Sequence, residues 1–335
     1  MSKPSVLITG AAGFIGMHAC SKFHSAGYAV EAIDNFDPYY SNELKRARCK
    51  YLKDRHEILV EDFDVNEINS LSGVRFHKKF DLVLHLAAQP GVRFSLEKPQ
   101  AYIRSNVSGF LEILEYCRKF SNFNLMYASS SSVYGENPNP RFSENDKTDF
   151  PISLYAATKK ANELMAYTYS HLFELRSIGL RFFTVYGPWG RPDMAVFKFT
   201  KAINENRPID LYGEGKLWRD FTFVDDIVSG ILSLAKNFNK IAELPYPINP
   251  DNSKHSFFNI GNHQPRQVIE LVAAIEKSLG KKAIINFREM QQGDVHVTSA
   301  DTQALRSVSD FAPNTSLEDG VEKFVSWYLK EGFHY

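Results

Sequence analysis

The sequence predicts an α/β protein in which helices cover both faces of a mostly parallel sheet. Short apolar runs alternate with segments of helix length through the first half of the chain, which is typical of βαβ units. The runs are rich in Val, Ile and Leu, as strands buried on both faces require. A glycine-rich turn follows the first run, where such sheets bind ligands. The predicted strands are residues 6–8, 28–33, 80–86, 124–128 and 177–183, and the first helix covers residues 13–26.

The composition changes after about Thr184, where Gly and Pro interrupt shorter elements. This change predicts a sheet domain of residues 1–183, with returning segments at about 221–240 and 257–262 that rejoin the sheet. A smaller C-terminal substrate-binding domain then comprises residues 184–220 and 241–335. Pro245, Pro247 and Pro250 predict a surface loop near residues 244–255.

The overall charge and the cysteines exclude several classes of protein. Lys and Arg total 39, as do Asp and Glu, so no net charge attracts nucleic acid or anionic lipid. Cys20, Cys49 and Cys117 are odd in number and widely spaced, which favours reduced thiols in a cytoplasmic protein. We find neither a signal-peptide pattern nor an apolar stretch of about 18 residues, so we expect no membrane span. No residue pattern indicates a metal site.

The glycine-rich turn has the sequence TGAAGFIG at residues 9–16, between a predicted strand and a predicted helix. Glycines suit a sharp turn whose backbone approaches a pyrophosphate closely, with the phosphates on the N–H groups of the helix N-terminus. The spacing G-x-x-G-x-x-G differs by one residue from G-x-G-x-x-G. We expect a Rossmann-type, doubly wound parallel sheet whose cofactor contacts are Gly10, Gly13, Phe14, Ile15 and Gly16.

An acidic residue ends the second predicted strand. The Asp34 carboxylate can accept hydrogen bonds from the adenosine ribose, and it would repel a 2′-phosphate. No Arg follows it directly, so the sequence favours NAD over NADP. Asp64 and Val65 are candidates to flank the adenine, although Asp62 and Phe63 fit nearly as well.

The segment YAATK places Tyr155 and Lys159 four residues apart, on one face of a predicted helix. A free tyrosine titrates near 10 and is a poor base at neutral pH, but a nearby ammonium favours the phenolate. Lowering its pKa by about three units needs about 4 kcal/mol. Four serines, 129–132, follow the preceding predicted strand, so we expect them to line the same crevice.

Together TGAAGFIG, HLAAQPGVR (85–93), Asn106, ASSSSVYG (128–135) and YAATK resemble the extended short-chain dehydrogenases/reductases, and more narrowly the nucleotide-sugar epimerases and dehydratases. The resemblance implies that Tyr155 is the base, that Lys159 lowers its pKa, and that Ser130 orients the sugar C4 hydroxyl. It also places further residues at the cofactor: Asn35, Leu86, Ala87, Ala88 and Asn106.

The reaction is indicated by two serines just before Val133. Dehydratases and decarboxylases that resemble this chain carry an acid where it has Ser132, and dehydratases usually have an Asp at the position of Ser131. Elimination needs a proton donor and acceptor across C5 and C6, which serine hydroxyls supply poorly. We therefore expect epimerisation at C4.

The substrate is indicated by the stretch RFFTVYGPWGRPDMA at residues 181–195, which resembles the UDP-glucuronate 4-epimerases, as do residues 91–95 and 34–40. Epimerases for neutral UDP-hexoses usually carry Asn in place of Thr184. Arg191 offers a charged fork for a sugar carboxylate. The expected substrate contacts are Arg93, Ser95, Ser131, Ser132, Thr184 and Arg191.

For the UDP group, Arg219 resembles the family arginine on the diphosphate, and Asp294 lies in a late Gly-Asp motif near the UDP ribose. Related galactose epimerases carry Arg where this chain has Gln291, so Arg219 has the larger share of the phosphates. Family members usually form homodimers through helices that correspond to residues 98–118 and 153–172, and we expect one here. The apolar faces containing Leu111, Leu114, Leu164 and Met165 are compatible with such a bundle.

Three other readings remain open at this point. The chain could be a UDP-glucuronate decarboxylase or an epimerase for UDP-N-acetylhexosamines, since both share the first oxidation step. It could also be an NAD-binding regulator without catalysis, because a fold alone does not prove chemistry. The intact Tyr155, Lys159 and Ser130 argue against that last reading.

Overall fold

The computed structural model of the chain describes residues 3–120, 124–139, 141–244, 254–290 and 295–332. In these ranges the strands are β1 (Ser5–Thr9), β2 (Ala29–Asp34), β3 (Val60–Asp62), β4 (Leu82–His85), β5 (Asn124–Ser130), β6 (Arg176–Phe182), β7 (Thr184–Tyr186), β8 (Ile209–Tyr212), β9 (Trp218–Arg219), β10 (Phe221–Phe223), β11 (His255–Ile260), β12 (Arg266–Gln267) and β13 (Ile285–Arg288).

The α-helices over the same ranges are α1 (Phe14–Ser25), α2 (Asn42–His56), α3 (Phe94–Glu97), α4 (Pro99–Tyr102), α5 (Gly109–Lys119), α6 (Leu154–Phe173), α7 (Ala195–Asn204), α8 (Val224–Lys236), α9 (Phe238–Ile241), α10 (Val268–Leu279), α11 (Gln303–Val308) and α12 (Leu317–Lys330). A π-helical segment, Ile103–Ser108, leads directly into α5.

The central sheet contains seven parallel strands among the described residues, in the order β11-β6-β5-β4-β1-β2-β3. The chain runs from β1 outward to β3, then returns to the other side of β1 with β4. This reversal makes the sheet doubly wound, as the sequence predicts. The five strands predicted from apolar runs are all present, whereas the three-residue strand β3 was not predicted.

The side chains of β1 alternate between two hydrophobic cores, one on each face of the sheet. Val6 and Ile8 belong to a large cluster that also contains the buried faces of α1, α8 and α12. Leu7 points the other way, into a cluster with Phe110 of α5 and Ala166 of α6. Successive strand residues face opposite sides, so helices must cover both faces of such a strand.

After β7, the described chain returns to the central sheet with one strand, β11. Strand β11 pairs with β6, close to the predicted segment 257–262. The segment predicted at 221–240 differs from expectation, because β10 pairs with β7 outside the central sheet and α8 packs on α1. The predicted division into two domains stays a prediction.

Three features of the remaining chain bear on the sequence analysis. The predicted loop at 244–255 lies largely outside the described residues. Cys20, Cys49 and Cys117 are free thiols, and Cys20 and Cys117 are buried. In the described part of the chain, we find no helix with the length and apolar character that a bilayer crossing needs.

Candidate active site

A cavity of about 660 Å³ opens at the carboxyl ends of the central strands. It lies where the strand order reverses between β1 and β4, the position at which doubly wound sheets bind ligands. Its wall includes residues that follow β1, β2, β4 and β5, together with residues of α6 and of the segment after β7. The site residues predicted from the sequence that line it are Gly10, Gly13, Phe14, Ile15, Gly16, Asp34, Asn35, Asp64, Val65, Leu86, Ala87, Ala88, Ser130, Tyr155, Lys159 and Arg191.

The glycine turn requires glycine at two positions for reasons of space. Gly10 has φ +71°, and a Cβ there would lie 2.7 Å from the backbone nitrogen of Ala87. A Cβ on Gly16 would lie 2.0 Å from the carbonyl oxygen of Gly10. Helix α1 begins after Gly13 without a side-chain cap, so its first N–H groups are available to a ligand in the cavity. This arrangement fits a dinucleotide pyrophosphate.

Asp34 is held rigidly at the end of β2. Its two carboxylate oxygens accept hydrogen bonds from the backbone N–H groups of Ala12 (3.1 Å) and Phe36 (2.8 Å). Lys45 of α2, which was not predicted as a site residue, places its Nζ 3.9 Å from the same carboxylate. Burial raises the pKa of Asp34, and Lys45 opposes that effect. The ribose position therefore has a fixed acceptor.

Asn35, Asp64 and Val65 line the wall next to this carboxylate. Asp64 accepts from the Asn66 backbone N–H at 2.9 Å, and the Asn35 amide reaches the other Asp64 oxygen at 3.4 Å. Asp62 and Phe63 were the alternatives to Asp64 and Val65 at the adenine. Phe63 also lines the cavity, whereas Asp62 is exposed.

Asn106 is buried behind the cavity wall rather than in it. Its Oδ1 accepts from the Gln89 backbone N–H at 2.7 Å, and its Nδ2 donates to the Gln89 carbonyl oxygen and to Thr158 Oγ1. Asn162 of α6 in turn donates to the Asn106 carbonyl oxygen at 2.6 Å. Asn106 therefore joins the segment after β4 to α6, and it positions the wall that carries Leu86, Ala87 and Ala88.

Tyr155 and Lys159 lie on α6, and Ser130 lies at the end of β5. Ser153 caps α6 by accepting a hydrogen bond from the Ala156 N–H at 3.1 Å, so the helix begins one residue before Tyr155. Lys159 Nζ donates to the Ala128 carbonyl oxygen at 2.9 Å and lies 6.0 Å from the centre of the Tyr155 ring. All three side chains line the same cavity, as predicted.

A buried ion pair fixes α6 against the sheet. Glu163, one turn beyond Lys159, accepts from Arg181 of β6 through both carboxylate oxygens, at 2.8 and 2.9 Å. Ser129 donates to the same carboxylate at 2.6 Å. A buried ion pair of this kind specifies geometry better than it adds stability. It sets the position of α6 relative to β5 and β6.

Burial is the largest influence on the pKa values of Tyr155 and Lys159. It raises the pKa of Tyr155, while Ser130 and Arg191 act in the opposite direction. It lowers the pKa of Lys159 to about 7. Lys159 was expected to lower the pKa of Tyr155 through its positive charge. With a pKa of about 7, however, Lys159 is only partly charged at neutral pH. Arg191 is the permanent cation that favours the phenolate here.

Arg191 lies at the cavity with an internal carboxylate beside it. Its Nε donates to Asp193 Oδ1 at 2.9 Å and its Nη2 to Asp193 Oδ2 at 2.5 Å. Tyr39 donates its hydroxyl to Asp193 Oδ2 at 2.9 Å. Tyr39 also lines the cavity. Neither Tyr39 nor Asp193 was predicted as a site residue, although an Asp two residues after a candidate Arg was a visible signal.

The other predicted sugar contacts lie around the cavity rather than at its main wall. Thr184, with Arg191, lines a small neighbouring cavity of about 20 Å³. Ser131 and Ser132 are half-buried in a short 3₁₀ turn, Ser131–Tyr134, in which Ser130 donates to Ser132 Oγ at 3.1 Å.

Arg93 and Ser95 follow β4 and differ in exposure. Arg93 is exposed, with its guanidinium 5.7 Å from the centre of the Tyr212 ring. Ser95 is buried and donates to the Val92 carbonyl oxygen at 2.5 Å, so its hydroxyl is already engaged within the turn.

Arg219, which was predicted at the diphosphate, donates hydrogen bonds to backbone carbonyl groups. Its Nη1 donates to the carbonyl oxygens of Trp218 and Val295, at 2.9 and 2.8 Å. Asp294, predicted at the UDP ribose, and Gln291 lie outside the described residues.

Known proteins resemble this chain over nearly its whole length. It is 49% identical to Protein CapI of Staphylococcus aureus, over 97% of this chain and 98% of that protein. It is 46% identical to UDP-glucuronate 4-epimerase 1 of Arabidopsis thaliana, over 97% of this chain and 76% of that protein.

A solved structure is similar in fold as well. The crystal structure of UDP-glucuronic acid 4-epimerase from Bacillus cereus, in complex with UDP-glucuronic acid and NAD, superposes with a TM-score of 0.85 at 31% identity. The match covers 97% of this chain and 99% of that one. The model of the NAD-dependent epimerase/dehydratase family matches residues 6–249. The sequence motifs, the doubly wound sheet and these similarities agree, and the chain belongs to the NAD-dependent epimerase/dehydratase family.

Proposed function

We propose that this protein is a UDP-glucuronate 4-epimerase, which interconverts UDP-glucuronate and UDP-galacturonate through a 4-keto sugar. One observation carries the proposal: the guanidinium of Arg191 lines the same cavity as Tyr155, Lys159 and Ser130. A planar, permanently charged fork suits a carboxylate. A neutral hexose offers it no counter-charge, whereas the C6 carboxylate of a uronate does.

The cofactor that the cavity fits is NAD. The glycine turn and the N-terminus of α1 accommodate its pyrophosphate, and Asp34 accepts from its adenosine ribose. When bound, NAD supplies the oxidation and the later reduction at the sugar C4.

Tyr155 is the proposed base for the C4 hydroxyl. In the phenolate form it takes the hydroxyl proton, and in the phenol form it returns a proton when the opposite epimer is made. Ser130 orients the hydroxyl from the end of β5. Lys159, tied to the Ala128 carbonyl oxygen, is placed to hold the cofactor ribose beside the phenol. The field of Arg191 favours the phenolate.

Holding the carboxylate also protects the intermediate. Oxidation at C4 makes the sugar a β-keto acid, which loses CO₂ when the bond from C5 to the carboxylate aligns with the carbonyl π system. A carboxylate held by Arg191, with hydroxyls of Thr184, Ser131 and Ser132 nearby, is kept from that alignment. No acid stands at position 131 or 132 to drive elimination instead.

For the nucleotide we propose that Arg219 and Asp294 hold the diphosphate and the ribose of UDP, with Arg93 and Ser95 shaping the sugar end of the site. We also propose a homodimer through α5 and α6. Leu111 and Leu164 on these helices are 40% and 55% exposed, which supports an apolar contact, whereas Leu114 is fully buried in the core.

The test is to incubate the pure protein with UDP-glucuronate and to follow the C4 proton by NMR. A change from the axial to the equatorial proton at constant mass supports the proposal. Loss of CO₂ to a UDP-pentose as the main product contradicts it in favour of a decarboxylase. Tyr155→Phe is the matched control, and it should retain NAD while turnover falls by about three orders of magnitude or more.

A further inference from the structure

Asp193 occupies one of the two forks that an arginine side chain offers. The bond from Arg191 Nε and the bond from Nη2 use the side-on fork of the guanidinium. Nη1 makes no hydrogen bond to any described residue, so the end-on fork of Nη1 and Nη2 keeps free donors. A second carboxylate can therefore approach Arg191 while the first remains in place.

Tyr39 keeps Asp193 charged and in position. Its hydroxyl donates to Asp193 Oδ2 at 2.9 Å, and its ring lies 5.9 Å from the Arg191 guanidinium carbon. Burial raises the pKa of Tyr39 to about 12, so the phenol remains a donor at neutral pH. Burial also acts to raise the pKa of Asp193, but Arg191 and Tyr39 hold it below its ordinary value.

We propose that Asp193 is an internal counter-ion of Arg191 that weakens the binding of the sugar carboxylate and so sets the affinity for the uronate. This inference rests on the proposed function. Two carboxylates around one guanidinium repel each other at a site where Arg191 and Asp193 are half-buried, so their charges are less screened than in water. Asp193 therefore limits how tightly the sugar carboxylate is held.

Moderate rather than tight binding of the sugar carboxylate suits the reaction. For hydrogen to return to the opposite face of C4, the keto sugar must turn, and its C5 substituent must move. Releasing a carboxylate from an arginine with no other partner would leave a half-buried charge unpaired, which is costly. Asp193 remains bound to Arg191 when the sugar carboxylate moves, so the guanidinium is never left without a counter-charge.

The test is Asp193→Asn, which keeps the shape of the side chain and removes its charge. Titration calorimetry is carried out with UDP-glucuronate, with UDP-glucose and with UDP. We expect Kd for UDP-glucuronate to fall on the order of tenfold. Kd for UDP-glucose and for UDP should stay the same, because neither has a C6 carboxylate. A purely structural role of Asp193 would not tighten binding of the anionic sugar selectively.

Asp54→Asn is the matched control, since it changes the net charge equally at an exposed position of α2. It should leave all three affinities unchanged. Equal tightening by Asp54→Asn overturns the proposal, because net charge then explains the effect. Unchanged or weaker binding of UDP-glucuronate to Asp193→Asn overturns it as well.

Asp193→Ser serves as a second variant if the first does not fold. If neither variant binds UDP, position 193 is structural and the proposal is wrong. Turnover by the unmodified protein separates the two levels of inference. Failure of the unmodified protein to convert UDP-glucuronate overturns the proposed function together with this inference, whereas conversion without selective tightening overturns this inference alone.

Discussion

Lys159 shows how strongly a single residue depends on its surroundings. Its side chain is 3% exposed, and its ammonium donates to the Ala128 carbonyl oxygen. Burial lowers its pKa to about 7, far below the usual value for lysine. A lysine in this state can lose its proton near neutral pH, so its charge depends on what is bound in the cavity.

The pH dependence of stability should reveal this lysine. Between about pH 7 and pH 10 the unfolded chain binds a proton at Lys159 that the folded chain has released. The free energy of unfolding therefore gains up to about 1.4 kcal/mol per pH unit from this residue as the pH rises. We expect Lys159→Met to abolish that gain in urea unfolding at pH 7, 8 and 9. Equal slopes for the two proteins would show that the folded-state pKa is ordinary.

Arg191 carries a prediction about the products. Arg191→Ala should lower kcat/KM for UDP-glucuronate by about two orders of magnitude, because a charge-assisted fork is lost. It should also raise the fraction of UDP-pentose, since the carboxylate of the keto sugar is no longer held out of alignment. NMR of the C4 proton measures the turnover, and mass spectrometry measures the UDP-pentose fraction of the products. If neither turnover nor the pentose fraction changes, Arg191 does not hold the carboxylate.

The positions of some individual site residues could be predicted from the sequence, and those of others could not. Tyr155 and Lys159 could be placed together because helical spacing puts positions four apart on one face. Ser130 could be added because strand ends of a parallel sheet meet at one edge. The two-residue spacing of Arg191 and Asp193 was a signal of their pairing, but the contact of Tyr39 with Asp193 could not be foreseen, since it joins two loops that have no regular period. The burial of Asn106 behind the wall follows from the π-helical segment, which has no recognisable sequence signal.

Helix α2 holds the loop that carries Arg191. Arg48 is completely buried and donates to the carbonyl oxygens of Trp189 and Gly190, to that of Ala12 in the glycine turn, and to Tyr40. Trp189 has φ +62°, which is uncommon for a bulky residue and persists only where its surroundings fix it. One side chain thereby joins the cofactor turn to the sugar loop.

Replacing this arginine should loosen the sugar loop. Arg48→Met leaves two or more buried carbonyl groups without donors, and we expect it to cost about 2–4 kcal/mol of the free energy of unfolding. Arg55→Met, on an exposed turn of the same helix, is the control and should cost less than about 0.5 kcal/mol. Urea unfolding measures both. Equal losses for the two variants would mean that Arg48 does not anchor the loop.

Among the elements, the apolar strands of the central sheet, the first helix and the helix that carries Tyr155 could be predicted, whereas the shortest strands could not. Strand β3 has only Val60, Glu61 and Asp62, too few residues for a period to be visible. The segment at about 221–240 was expected to return to the central sheet. Its strand, β10, is a short run of Phe221, Thr222 and Phe223. It pairs with β7 instead, and an apolar run does not specify its partner strand.

The whole molecule exposes an apolar surface on the helices proposed for the dimer. We expect Leu164→Glu to convert the proposed dimer into a monomer, because a buried carboxylate without a partner is costly at an interface. Light scattering after gel filtration gives the mass. Leu71→Glu is the control, since Leu71 is 91% exposed on a 3₁₀ segment outside α5 and α6. A monomeric unmodified protein, or an unchanged dimer in Leu164→Glu, would contradict the proposed interface.

The position of β11 at one edge of the central sheet has a consequence for biosynthesis. Each residue of its partner β6 leaves the ribosome 78 residues before the residue of β11 with which it pairs. Until residues 255–260 emerge, that edge has unpaired backbone groups. During this interval the nascent chain offers a template for pairing with strands of other chains. The central sheet is therefore complete only after the segment between β6 and β11 has been translated, even if the first two hundred residues have already collapsed.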